Sequence, residues 1–139
     1  MLKLLQLRFL PTSVNLALLV LRVWFALPLL TLHGWSKLTG FAERSHRFAD
    51  PFGLGSPASL ALVVFGEVFC SVLLVLGLCT RFAATVCGIV MATAFVHAHG
   101  MRFTGQGNGE LPFMFLGAFV ALLLAGGGRY SIDARTGAR

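Results

Sequence analysis

The sequence is short of charge, and above all short of acid. Only 12 % of its residues are charged, against about 25 % in soluble domains, and Asp and Glu together number 5 in a chain of 139 residues. Hydrophobic residues make up 57 % of the chain, and the mean hydropathy is +0.84. This composition excludes a water-soluble globular domain and indicates an integral membrane protein of one domain.

The basic residues form no run. The 11 Lys and Arg residues give a net charge of +6, but they are scattered through loops and termini and are not clustered. A nucleic-acid-binding protein would concentrate them in a patch or stripe, so we expect no nucleic-acid partner. Scattered basic residues are typical of charges that set membrane topology and contact anionic lipids.

Cysteines and cleavage signals are sparse as well. The three cysteines, Cys70, Cys79 and Cys87, fit no CxxC or metal-finger spacing. Cys70 and Cys87 fall at similar depth on neighbouring predicted helices, but buried cysteines usually act as small apolar side chains, and a reactive thiolate is disfavoured in lipid. The first apolar run ends in the segment HGW at 33–35 and has no small-x-small cleavage site, so we expect it to be retained.

What the sequence does contain is four long apolar runs. They predict helices at about 14–38, 58–78, 82–97 and 110–125. Helices of this length with short connections predict an all-α fold, an up-down four-helix bundle in the bilayer, as a single transmembrane domain over 1–139. We also expect a kink at Pro28, an interfacial lead-in over 1–13 and a short helix over 41–48 in the first loop.

The distribution of Lys and Arg predicts the orientation of this bundle. Six lie on the side of the two termini and of the turn between the second and third helices: Lys3, Arg8, Arg81, Arg129, Arg135 and Arg139. Four lie on the opposite side: Lys37, Arg44, Arg47 and Arg102. Because basic residues are retained in the cytoplasm, both termini are predicted to be cytoplasmic.

Two ionisable residues fall within the predicted spans. Arg22 would cost about 2.5–3.5 kcal/mol to insert at mid-membrane, so it requires a partner of opposite charge. It lies about ten residues, ~15 Å, before His33, and Glu67 lies about nine residues, ~14 Å, after Ala58. Both are therefore expected near the midplane as an intramembrane ion pair. Such a pair either locks the helix register or handles protons and ligands, and both interpretations stay open.

A second polar group is predicted at the outer end of the bundle. The candidate ligand-binding residues are His33 and Lys37 at the end of the first helix, His97 at the end of the third, and Glu110 at the start of the fourth. They would anchor helix ends at the headgroups, hydrogen-bond a quinone and relay its protons, or bind a transition metal. Because His97 and His99 lack the i, i+4 spacing of helical ligands, no metal site is predicted.

Taken in chain order, several segments are similar to the DoxX family of small four-helix bacterial membrane proteins. The resemblance covers about residues 14–134 and rests on Arg22, HGWSKLTGF ending at Phe41, Glu67, LGLCTR ending at Arg81, His97, GNGEL ending at Leu111 and GGGRYSID ending at Asp133. It implies a multi-pass protein of the bacterial inner membrane. The polar positions that recur in the family correspond here to Arg22, His33, Lys37, Glu67, His97 and Glu110.

The function implied by this resemblance has two forms. Some DoxX-like proteins are associated with a thiosulfate:quinone oxidoreductase, which implies the membrane subunit of a thiol or sulfur to quinone redox complex, with quinone as its ligand and a protein partner. No catalytic nucleophile is identified. The alternative is a non-catalytic membrane adaptor or a protein that handles metals or small solutes. Four glycines, at 66, 77, 88 and 117, permit close helix contacts within the chain or in a homo-oligomer.

Overall fold

The computed structural model describes residues 12–137, and all the regular structure in that range is helical. Six helices follow one another within these described residues: α1 (Val14–Thr39), α2 (Phe41–Arg44), α3 (Ser56–Leu76), α4 (Thr80–Ala98), α5 (Glu110–Ala125) and α6 (Ile132–Thr136). Helices α1, α3 and α4 are long and apolar enough to cross a membrane, and α5 is a shorter apolar helix of 16 residues. The bounds of these four differ from the predicted ones by at most two residues.

The predicted lead-in and the predicted short helix of the first loop are not found as expected within the described residues. The predicted lead-in over 1–13 lies outside the described residues, apart from Thr12 and Ser13. The short helix in the first loop ends at Arg44 and does not reach residue 48. Ser13 begins α1, because its hydroxyl accepts a hydrogen bond from the Leu16 N–H at 3.2 Å and so satisfies one free donor of the first turn.

The four long helices pack as antiparallel neighbours. Arg22 of α1 contacts the last turn of α3, whereas Gly34, twelve residues further on, contacts Glu67. Helix α4 packs against α3 through Cys87 and Gly66. It also packs against α5, with Phe95 beside Gly109 at the loop end and Arg81 bonded to Leu124 O at the other end. We call the end with residues 40–55 and 99–109 the loop end, and the end with residues 77–79 and 126–137 the tail end.

The surface of the long helices is apolar, and several polar side chains lie inside. Large apolar side chains are exposed on every long helix, among them Trp24, Leu32, Phe82 and Leu124. The buried core combines small apolar side chains with larger ones: Ala26, Leu29, Cys70, Leu74, Ala83, Ala84, Cys87, Met91, Phe115, Phe119 and Leu122. This pattern suits a lipid environment, because lipid replaces water around the exposed apolar groups.

Asp50 fixes the first loop to the start of α3. One of its carboxylate oxygens accepts hydrogen bonds from the Ser59 hydroxyl at 2.7 Å and the Leu54 N–H at 2.9 Å, and the other accepts from the Gly55 N–H at 2.7 Å. The hydrogen bond from Ser59, followed by those from the loop N–H groups, holds the pKa of Asp50 below its usual value.

Each of α1, α3 and α4 contains a π-helical segment, which lies at the centre of α3 and in the loop-end half of α1 and α4. These segments are Leu29–Gly34, Phe65–Cys70 and Ala94–Ala98. The first follows Pro28 directly. A proline has no N–H to donate to the preceding turn, and the helix widens there. Pro28 thus marks a change from α-helical to π-helical turns, and the kink expected there stays a prediction.

Candidate functional site

The central contact of the candidate site is an ion pair between α1 and α3. Lys37 Nζ donates to Glu67 Oε2 at 2.6 Å, and the two side chains are only 20 % and 6 % exposed. Gly34 makes the pair possible, because a Cβ at this position would lie 2.7 Å from the Glu67 carbonyl oxygen. The glycine thus lets the backbone of α1 lie directly against the π-helical segment of α3.

The predicted pairing of Arg22 with Glu67 is wrong. Arg22 is fully buried, but its guanidinium donates to two backbone carbonyls: Nη1 to Leu74 O at 3.1 Å and Nη2 to Tyr130 O at 2.8 Å. Leu74 is seven residues beyond Glu67, which is about 10 Å along α3. Counting from predicted helix ends failed because the end of α1 and the start of α3 do not lie at the same depth, and Glu67 therefore lies beside Lys37.

Arg22 instead closes the tail end of α3. Carbonyls in the last turn of a helix have no partner within the helix, and a positive charge there interacts favourably with the helix dipole. Gly77 ends α3 with φ of +70°, and a Cβ at this position would collide with the Arg22 guanidinium. The end of α3 therefore depends on both residues, because Gly77 leaves the space in which the Arg22 guanidinium binds the Leu74 carbonyl.

The residues after α5 fold back onto this helix end. Asp133 Oδ1 accepts from the Cys79 N–H at 2.7 Å and Oδ2 accepts from the Thr80 N–H at 2.8 Å, while the Asp133 N–H donates to Gly77 O at 3.0 Å. Cys79 has φ of +49°, so the turn before α4 requires such support. We call the contacts of Arg22 and Asp133 with this turn and the returning chain the tail clasp.

Asp133 is held in its ionised form by the tail clasp. Partial burial alone would raise the pKa of this carboxyl, but the hydrogen bonds from Thr80 and Cys79 together with the nearby charge of Arg22 outweigh it, and the pKa lies below its usual range.

We expect Asp133→Asn to destabilise the protein by about 1 kcal/mol, because an amide supplies only one of the two acceptor oxygens at the start of α4. Because the folded pKa is lowered, the stabilising contribution of Asp133 should be complete above a pH of about 4 and should fall as the pH drops towards the folded pKa. Unfolding in mixed micelles as a function of pH measures both effects. Glu43→Gln, an equal charge change on an exposed side chain of α2, should leave the acid limb of the profile unchanged.

The histidines and Glu110 lie at the loop end without joining into one cluster. His33 stands edge-on to Phe115, with ring centroids 6.2 Å apart, and His97 stands edge-on to Phe52 at 5.6 Å. Glu110 is exposed at the first turn of α5. Within residues 12–137, no hydrogen bond or ion pair links His33, His97 and Glu110, and no group of three or more His, Cys, Asp or Glu side chains is placed to hold a metal ion.

The π-helical segments and the candidate residues coincide. His33 lies in the segment of α1, Glu67 in that of α3 and His97 in that of α4, and Lys37 follows one turn after His33. A π-helical turn closes its hydrogen bonds one residue further along the chain than an α-helical turn, and such turns occur frequently at functional sites. Three such segments, each with an ionisable residue, mark the region from the centre of α3 to the loop end as the candidate site.

Taken together, three helices able to cross a membrane, polar groups enclosed between them and an apolar exterior define a multi-pass membrane protein. The chain belongs to the DoxX family, whose model matches residues 17–100. The predicted family is thereby confirmed, and the match covers most of α1 and all of α2, α3 and α4. It stops before α5 and before the returning chain of the tail clasp.

One curated relative is similar to this chain over a longer stretch than the family match. A protein of Haemophilus influenzae that carries the name uncharacterized protein is 29 % identical over 125 residues, which is 86 % of this chain and 82 % of the relative. No solved structure matches the chain.

Proposed function

We propose that this protein is the membrane subunit of a redox complex that transfers electrons from a thiol or sulfur compound to a quinone. In this proposal the four apolar helices form an up-down bundle in the bacterial inner membrane, with both termini in the cytoplasm. The observation that carries it is the occurrence of His33, Glu67 and His97 in three π-helical segments, together with the Lys37–Glu67 pair between α1 and α3. Membership of the DoxX family supports it.

The residues suit a quinone headgroup. A quinone accepts two electrons and two protons to become a quinol, so its site needs hydrogen-bond donors at the ring oxygens and a proton source. Lys37 and His33 supply donors, and the Lys37–Glu67 pair, with Nζ and Oε2 2.6 Å apart, is the proton source in this proposal. Phe115 lies beside His33 as an apolar wall for the ring. His97 and Glu110, both exposed, connect this site to water for proton exchange.

The electrons come from a partner protein in this proposal. The partner oxidises the thiol or sulfur compound, and two electrons pass from it to the quinone. Four large apolar side chains in the two loops are exposed at the loop end: Phe52, Leu54, Met101 and Phe103. They favour a partner surface at this end, because loops that face only water rarely expose so many apolar groups.

The chain also has a surface for a second copy. Of the four glycines expected to permit close helix contacts, those at 66, 77 and 88 are buried within the chain, whereas Gly117 on α5 is exposed with open space around it. Of these four glycines, only Gly117 is therefore available for a helix contact with another molecule, and a homo-oligomer through this face of α5 stays a prediction.

Quinone content tests the proposal. Protein purified in mild detergent should carry extractable quinone, measured by mass spectrometry. His33→Ala and Lys37→Met should each raise the Kd for added quinone roughly tenfold and so lower the content below saturation, because each removes one hydrogen bond of about 1.4 kcal/mol. His46→Ala, in the exposed segment after α2, is the matched control and should retain the parent content.

The opposite result has a definite meaning. If His33→Ala, His97→Ala and Glu110→Ala combined in one chain leave both the quinone content and the recovered partner unchanged, the quinone site is wrong. The protein would then act as a non-catalytic adaptor, the function that the exposed apolar loop residues would favour by themselves. Circular dichroism and size-exclusion chromatography of each variant separate loss of ligand from loss of fold.

A further inference from the structure

The tail end carries a surface cleft that the proposed quinone chemistry does not use. The cleft has a volume of about 1100 Å3 and lies between the start of α4, the glycines that end α5, and α6. Its charged lining residues are three arginines and one aspartate: Arg81, Arg129, Arg135 and Asp133. Each arginine comes from a different segment of the chain.

The three arginines have no carboxylate partner among the described residues, since the salt bridge of residues 12–137 joins Lys37 to Glu67. Arg81 uses one N–H of its guanidinium for Leu124 O at 3.3 Å. Arg129 contacts Asn15 through its backbone N–H, at 2.8 Å, and its side chain is exposed. Three exposed guanidinium groups are therefore free to bind an anion in the cleft.

Asp133 does not neutralise this set. Both of its oxygens accept backbone N–H groups at the start of α4, and the buried Arg22 lies behind it. The lining of the cleft consequently keeps an excess of positive charge. Guanidinium groups bind phosphate oxygens through paired, charge-assisted hydrogen bonds, which makes phosphate the favoured anion here.

The cleft also adjoins the apolar surface of the spanning helices. Phe82 lines it and is exposed on α4, next to exposed Leu124 on α5, and Tyr130 is exposed at its rim. Aromatic side chains are enriched at this level of a membrane, where the headgroups meet the acyl chains. A ligand that lies here has its anionic part among the arginines and its apolar part along Phe82 and Leu124.

We propose that this cleft binds the phosphate of an anionic phospholipid. The guanidinium groups of Arg81, Arg129 and Arg135 surround the phosphate oxygens, and the acyl chains extend along α4 and α5. Because the arginines lie on α4, on the α5–α6 connection and on α6, one bound lipid joins three segments and adds to the tail clasp. Lipid that binds only the folded chain raises its stability by mass action.

Native mass spectrometry of the full chain, titrated with phosphatidylglycerol in a neutral detergent, tests the proposal. We expect a saturable adduct with phosphatidylglycerol and none with phosphatidylcholine, together with a higher midpoint of thermal unfolding. The triple variant Arg81→Gln, Arg129→Gln, Arg135→Gln should bind on the order of a hundredfold more weakly, since each basic residue near an anionic lipid contributes about a fivefold effect.

A charge-matched variant provides the control. Arg44→Gln, Arg47→Gln and Arg102→Gln remove the same three charges at the loop end and should leave the adduct unchanged. An equal loss of binding in both triple variants would mean diffuse attraction to charge and would overturn the site. If the tail-end triple variant does not fold, Arg135→Gln alone, on the exposed surface of α6, should weaken binding about fivefold, and no change would overturn the proposal.

Inorganic phosphate distinguishes the two sources of this anion. Millimolar phosphate that fails to displace phosphatidylglycerol supports the lipid headgroup as the ligand, because the acyl chains then contribute to binding. Displacement by phosphate at this concentration, with the same dependence on Arg81, Arg129 and Arg135, would overturn the lipid assignment and identify a site for a soluble phosphate anion.

Discussion

Arg22→Leu should lower the free energy of unfolding by about 3–5 kcal/mol, the largest effect that we expect from a single substitution in this protein. The variant removes two charge-assisted hydrogen bonds, each of about 1.5–3 kcal/mol. The buried Leu74 O then keeps only the Gly77 N–H as a donor, at 3.1 Å, and the partly buried Tyr130 O loses its arginine donor. It also frees the returning chain from the end of α3. Equilibrium unfolding in mixed micelles measures the loss.

Two further variants make this result specific. Arg22→Lys keeps the charge but has no planar fork to reach both carbonyls, so it should recover only part of the stability. Because Arg22 does not contact Glu67, the effects of Arg22→Leu and Glu67→Gln should add, and the double variant should be less stable than either single variant. Recovery of stability in the double variant would contradict the structure and restore the pairing that the sequence had predicted.

Lys37→Met should cost about 3 kcal/mol, the second-largest expected effect. The substitution preserves most of the side-chain volume but leaves Glu67, which is only 6 % exposed, without its cation. Breaking a buried ion pair from one side typically costs 3–5 kcal/mol, and we expect the lower end because a fifth of the Lys37 side chain remains exposed. The same micelle unfolding assay applies.

The double variant of Lys37 and Glu67 should regain stability, in contrast to the double variant of Arg22 and Glu67, whose effects should add. Lys37→Met combined with Glu67→Gln removes both charges together, and we expect it to regain more than half of the stability lost in Lys37→Met. If the two substitutions simply add, the ion pair does not stabilise the fold. The proposed role of the Lys37–Glu67 pair at the quinone site is tested separately, through quinone content.

Several features of the fold were predictable because they depend on composition over a long window. The four apolar segments, the helical fold and the membrane environment follow from runs of Leu, Val, Phe and Ala that are too long for a soluble domain. The family followed from the order of the short motifs, and the family match confirms it.

The partners of individual charges were less predictable, because they depend on helix offsets of a few ångströms. Helix α1 contains two basic residues, Arg22 and Lys37, and either could in principle meet Glu67. Depth counted from approximate ends favoured Arg22, whereas close approach at Gly34 brings Lys37 to Glu67. A small residue one turn before a lysine was the available signal for this contact.

The role of the returning chain could not be derived from periodicity at all. Asp133 occurs in a polar segment that sequence patterns describe only as a tail, and its partners are backbone N–H groups at Cys79 and Thr80, more than fifty residues earlier. Main-chain partners carry no sequence signature. The available signal was that Arg22, LGLCTR and GGGRYSID all belong to the segments that resemble the family. All three contribute contacts to the tail clasp.

Apolar side chains cover the outside of this protein, and several polar side chains are buried inside: Arg22, Glu67, Ser71 and Thr80. This arrangement determines which forces stabilise the fold. Expulsion of water cannot draw the helices together where their surroundings are hydrocarbon, so cohesion has to come from tight interlocking of small side chains and from the enclosed polar contacts. Enlarging Ala83 or Ala84, both at most 1 % exposed, should therefore loosen this protein more than trimming any of its much larger lipid-facing leucines.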